Sequence, residues 1–152
     1  MLLDTKHFGE INYNEEDVIT FREGIPGFFH VSRFILITEG EDALFSWLQC
    51  IEDTDLAFVL MDVKSVLPDY KPDISPDSLK GIEENGGELI CCNIVVVPED
   101  ISQMRVNLRA PVLINMKAKL GKQVVAQNED YSVQYYIFDE LNKGRQKQVA
   151  EC

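Results

Sequence analysis

Leu89-Ile90-Cys91-Cys92-Asn93-Ile94-Val95-Val96-Val97 and, after a polar break, Met104-Arg105-Val106-Asn107-Leu108-Arg109-Ala110-Pro111-Val112-Leu113-Ile114-Asn115 decide the fold. From Ile94 to Val97 every position is apolar, so a strand there has both faces covered and belongs in the middle of a sheet. Met104, Val106 and Leu108 alternate with Arg105, Asn107 and Arg109, the period of a strand with one buried face and one wet face. Outward from these two runs the same grammar repeats. Strands are expected at Asp17 to Phe21, Arg33 to Thr38, Leu44 to Leu48, Leu56 to Met61, Leu89 to Val97, Met104 to Leu108, Pro111 to Asn115, Gln123 to Gln127 and Tyr131 to Phe138. Many short strands of this kind in one chain indicate a sandwich or barrel, and the expected fold is mostly β: a small closed or partly open antiparallel β-barrel with one short helix.

Turn chemistry supports these cuts. Gly24-Ile25-Pro26-Gly27 places a fixed proline φ next to a glycine free to take positive φ, and Gly40, Gly121 and Glu129-Asp130 punctuate other strand pairs. The one internal helix expected starts at Ser75-Pro76, where serine caps and proline suits the first turn, and runs towards Glu84 before Asn85-Gly86-Gly87 stops it. No repeat or linker divides the chain, so residues 1–139 read as a single domain and 140–152 as a frayed or short helical tail.

The chain has 152 residues, and its 26 Asp and Glu against 14 Lys and Arg leave a formal charge of −12. A surface that tracks phosphate needs clustered Lys and Arg, so direct nucleic-acid contact is not expected, nor is attachment to an anionic membrane. An acidic field attracts basic proteins and repels competing nucleic acid. Residues Met1 to Thr20 carry Asp4, Glu10, Glu15, Glu16 and Asp17 without an apolar run, unlike a secretory signal. Leu89 to Pro98 is too short for a membrane span. A cytoplasmic protein is expected. Cys50, Cys91, Cys92 and Cys152 have no C-x-x-C spacing and read as reduced thiols.

Catalytic and metal chemistry find no candidate in the sequence. His7 and His30 are separated and lack Cys or His at ligand spacing. There is no nucleophile elbow and no Gly-rich phosphate loop. Glu52, Asp53 and Asp55 could bind a cation or act as an acid/base pair, but they lack the EF-hand series and read as a solvated loop. Glu83, Glu84 and Glu88 read the same way. Trp47 alternates with Leu44, Ser46 and Leu48 and shares a face with Phe45, which reads as core. No cofactor, metal or catalytic residue is expected.

Several motifs occur in a fixed order: Phe21-Arg22-Glu23-Gly24-Ile25-Pro26-Gly27-Phe28, Trp47-Leu48-Gln49, Pro68-Asp69-Tyr70, Val106-Asn107-Leu108-Arg109-Ala110-Pro111 and Gly121-Lys122-Gln123-Val124. In this order and spacing they resemble the flagellar assembly factor FliW family, over about residues 8 to 138, and nothing after Asp139 matches. The resemblance implies a compact β-barrel-like domain that binds flagellin and also the RNA-binding translational repressor CsrA. It implies that CsrA held by the factor cannot repress flagellin translation, that free flagellin takes the factor away, and that secreted flagellin leaves the factor free to hold CsrA.

A family motif need not be a binding site. Gly24, Pro26 and Gly27 are explained by turn geometry, Pro111 by a strand start, and Phe21 and Phe28 by core packing. The polar members are the expected partner-binding residues: Asn107 and Arg109 on the wet face of their strand, Gln49 after a strand, and Asp69 and Tyr70 in a proline-flanked loop. Two other functional classes compete with this reading: a ligand-binding β-barrel with a small-molecule cavity in its mouth, and an enzyme built on the Glu52, Asp53 and Asp55 loop.

Overall fold

The structure is a computed structural model in which residues 1–38, 43–83 and 86–142 are described. Its strands are β1 (Leu2–Thr5), β2 (Gly9–Asn12), β3 (Ile19–Thr20), β4 (Arg33–Thr38), β5 (Phe45–Cys50), β6 (Ala57–Met61), β7 (Leu89–Val96), β8 (Arg105–Val106), β9 (Val112–Asn115), β10 (Leu120–Gln123) and β11 (Tyr135–Tyr136). The main sheet runs β11-β8-β7-β6-β5-β4-β3-β10-β9, and β9 returns to pair with β7. That last pairing closes a seven-strand barrel, from which β8 and β11 extend as a flap. The barrel is mixed: β3 meets β10 in parallel, through the single pair Thr20 and Leu120, while the other ladders are antiparallel.

The expected central strand is β7, and both its faces are covered. Cys92 and Ile94 point into the barrel among Phe21, Phe34, Leu48 and Leu60, and edge-on aromatic pairs such as Phe21 with Phe34, centroids 5.3 Å apart, fill the interior. Val95 points outward into a second core with Met61, Tyr70, Val106 and Ile137. Two smaller cores cover the rest of the barrel's outside, one where residues 74–82 lie over Leu113, Leu120 and Val124, the other where Tyr13 and Val18 cover Ile35.

Several elements differ from expectation. The β1–β2 hairpin was not expected, because no Asn-Gly or Asp-Gly signal marks its turn and only Leu3 and Ile11 of its strands' apolar side chains are even half-buried. The strand expected at Gln123 to Gln127 lies instead at Leu120–Gln123, so the two spans share only Gln123. Gly121, read as a turn, lies inside β10, and the position suits glycine because any Cβ there would sit 2.4 Å from the Phe21 ring. The helix from Ser75 keeps its expected cap, Ser78 N–H donating to Ser75 Oγ at 3.3 Å, but α1 spans only Pro76–Leu79. Gly81 then takes φ +92° and Ile82 turns into the core over β9 and β10, so the chain leaves the helix after one turn. Residues 138–142 form a second short helix, with Leu141 against the second core. The turn at Gly40, the helix stop at Asn85 and the tail from Lys143 lie outside the described residues.

Candidate protein-binding site

The Val106-to-Pro111 motif is a corner in a broken strand. β8 and β9 both lie antiparallel along one edge of β7: Val106 and Arg105 oppose Val95 and Val96, and Val112 to Asn115 oppose Cys92 to Leu89. Asn107 N–H still donates to Ile94 O of β7 at 3.1 Å, and residues 108–111 then leave the ladder, which lets the chain pass from the flap to the barrel wall. Their backbone groups are satisfied elsewhere. Asn107 Oδ1 accepts from the N–H groups of Arg109 and Ala110 at 3.1 and 2.9 Å. Asn93 Nδ2 donates to Asn107 O at 2.8 Å and to Tyr70 Oη at 2.9 Å, and Tyr70 Oη donates to Leu108 O at 2.7 Å. Arg109 Nε donates to Ala126 O at 2.8 Å, and Gln123 Nε2 to Ala110 O at 3.1 Å.

This corner unites Tyr70, Asn107 and Arg109, with Asp69 exposed beside Tyr70, and adds Asn93, which the sequence reading left in its apolar run without a role. The visible signal was one amide among Leu89 to Val97: such a residue is buried only where it has partners. Two of the expected contact residues are corrected in position. Tyr70 is 5% exposed, stacked 5.1 Å from Tyr131 with its hydroxyl spent inside the corner, and burial pushes its pKa up to about 12. Gln49 is wholly buried within β5, where Nε2 donates to the carbonyls of Cys50, Thr54 and Leu56 and pins the following loop. Both donate to backbone carbonyls of irregular segments, which gives these buried polar side chains their partners. Asn107 and Arg109 are half-buried, and Asp69 is exposed.

The acidic loop is more than solvated charge. Glu52 Oε1 accepts from the N–H groups of Ser32 and Arg33, both at 2.7 Å, and ties the loop to the start of β4. Asp53 Oδ1 accepts from Asp55 N–H at 3.2 Å. Among the described residues, no group of three or more His, Cys, Asp or Glu side chains converges as metal ligands, Cys50, Cys91 and Cys92 are free, and no helix is long and apolar enough to cross a membrane. A crevice of about 100 Å³ lies by the parallel β3–β10 junction, where Lys122 Nζ pairs with Glu23 at 3.3 Å. Drug-sized sites occupy about 300 Å³ or more, and the barrel interior is filled by side chains.

The motif residues thus fold one corner of a β-barrel whose interior is filled by side chains. The chain belongs to the FliW protein family, whose model matches residues 2–137. It is 42% identical over 143 residues to the flagellar assembly factor FliW of Thermoanaerobacter pseudethanolicus, covering 93% of this chain and 95% of that one. To the FliW of Caldanaerobacter subterraneus it is 44% identical over 144 residues, covering 93% and 95%. A crystal structure of the flagellar assembly factor FliW superposes with TM-score 0.81 at 32% identity, covering 91% of this chain and 97% of that one.

Proposed function

We propose that this protein is a cytoplasmic regulator of flagellar assembly that binds flagellin and, when flagellin is scarce, sequesters the translational repressor CsrA, relieving repression of flagellin translation. Membership of the FliW family, at about 40% identity over nearly the whole chain, is the observation that carries the reading. The formal charge of −12 supports it, because a sequestering protein with this field draws in a basic RNA-binding partner and keeps RNA away. In this reading Asp69 and the exposed edges of Asn107 and Arg109 contact a partner, while Gln49 and Tyr70 hold the backbone that presents them. The protein acts by occupancy and not by turnover.

Co-purification with CsrA and with flagellin from the same cell, followed by competition between them, tests the reading. The expected result is capture of each, loss of CsrA as flagellin is added, and CsrA association that slows as salt shortens the Debye length from about 10 Å at 0.1 M to about 3 Å at 1 M. Failure to capture either partner refutes it. The small-molecule alternative is tested on the same material, since a tight metabolite would raise the melting midpoint by mass action and a sequestering protein responds to its protein partners.

A further inference from the structure

The flap formed by β8 and β11 has a face that nothing described in the chain covers. Val96 opposes Arg105, and Arg105 opposes Tyr136, so the three side chains form one row across β7, β8 and β11. Their neighbours Val95, Val106 and Tyr135 point the other way, into the second core. The row lies beyond the point where β9 leaves the edge of β7, so the barrel does not close over it. Val96 is 48% exposed and Tyr136 52%, and at the same end of the flap Val97 is 48% and Ile101 54% exposed. Arg105 lies over the Tyr136 ring at 6.0 Å.

β11 is also the free end of the sheet order. Ile137 N–H donates to Met104 O and Tyr135 pairs with Val106, so by the alternation of an antiparallel ladder the N–H and C=O of Tyr136 point away from β8. Exposed Val96 and Tyr136 on either side of Arg105, beside an open edge, form an arrangement to which an extended segment can add as a further strand. Charge selects the segment. Exposed Glu99 and Asp100 precede Ile101, and exposed Asp139 follows β11. Ser102 donates to Asp100 through both its N–H and its hydroxyl, keeping that carboxylate ionised.

We propose that this flap is a docking surface for an extended, basic segment of a protein partner, with alternate apolar side chains seated on Val96 and Tyr136 and Lys or Arg side chains reaching Glu99, Asp100 and Asp139. The assignment rests on the sequestration reading only in taking the occupant to be a partner protein. It makes a specific demand of Arg105: as a cation facing a basic occupant it weakens docking, so its neutral variant binds more tightly.

The test uses the full chain, an octapeptide of alternating lysine and valine, and a control of alternating glutamate and valine, with amide chemical shifts as readout. Saturable shifts confined to residues 96–106 and 134–137 with the lysine peptide, and none with the glutamate peptide, are expected. Tyr136→Ala combined with Val96→Thr should weaken binding at least tenfold with an unchanged melting midpoint, and Arg105→Gln should strengthen it two- to fivefold. Equal response to both peptides, shifts elsewhere, or weaker binding by Arg105→Gln overturns the proposal. So does tighter peptide binding by a chain ending at Asn142, which would make the protein's own Lys143, Arg145 and Lys147 the occupant. Wild-type capture of CsrA and flagellin unchanged by the Tyr136 and Val96 double variant overturns this surface and leaves the sequestration reading standing, whereas capture of neither by wild type removes that reading alone.

Discussion

Replacing Tyr70 with phenylalanine separates a residue that touches a partner from one that holds the fold. Phenylalanine keeps the ring packed against Tyr131 and deletes one oxygen. That oxygen donates to Leu108 O at 2.7 Å and accepts from Asn93 Nδ2 at 2.9 Å. Asn93 retains Asn107 O at 2.8 Å, but among the described residues no other hydrogen bond reaches the carbonyl of Leu108, a residue 5% exposed. A buried acceptor left unsatisfied costs about 1–3 kcal/mol, so a loss of about 2 kcal/mol is expected, equivalent to roughly 4–8 °C in melting midpoint for a chain of this length. Urea unfolding followed by the fluorescence of Trp47, the one tryptophan in the chain, measures it as a lower midpoint with unchanged slope. Affinity for flagellin and CsrA, measured where the variant is folded, should stay within about threefold. A variant of wild-type stability with tenfold weaker binding would refute the argument and make the hydroxyl a contact group.

Gly121→Ala should destabilise by about 1–3 kcal/mol or more, because the new methyl meets a fully buried Phe21 ring at 2.4 Å, and a melting scan detects it. Glu52→Ala should cost about 1 kcal/mol in urea unfolding by freeing the N–H groups of Ser32 and Arg33, where a purely solvated loop would show no change. Burial lifts Tyr70 to about 12 from 10.0 and Cys92 to about 12 from 9.0. Both bind their protons more tightly when folded, so stability is full below the unfolded values and falls as pH rises towards 12, by up to about 1.4 kcal/mol per pH unit per group. Tyr70→Phe should flatten that decline in urea titrations above pH 10, and an unchanged decline would place the loss elsewhere.

The parts of the fold that were legible are those where period and burial agree. Ile94 and Val95 announce a strand covered on both faces, and Met104, Val106 and Leu108 turn inward as their alternation requires. The corner at 107–111 was legible only as a gap between the strands expected at Met104 to Leu108 and Pro111 to Asn115; how it is held was not, since that depends on Tyr70, Asn93 and Gln123, brought from distant parts of the chain. Tyr70 misled for a related reason. Its neighbours Pro68, Asp69 and Lys71 are those of an exposed loop, and its ring lies inside because the second core, Asn93 and the Leu108 carbonyl receive it, none of them near it in sequence. Gln49 is a similar case, its amide reaching the carbonyls of Cys50, Thr54 and Leu56 at the loop that follows β5. The Val96, Arg105 and Tyr136 row needed strand register, which composition does not carry.

The barrel's closure has a consequence for how the chain reaches this state. Thr20 and Leu120 close the ring through one parallel pair, and all the other staves lie between them in sequence. Searching for so distant a pairing is slow, and folding dominated by such contacts falls on the order of milliseconds to seconds. During synthesis β3 leaves the ribosome early and waits, with its edge open, until β10 has been translated and has emerged behind it. The hairpins β4–β5 and β5–β6 can form in that interval, but the ring closes only after nearly the whole protein has been made.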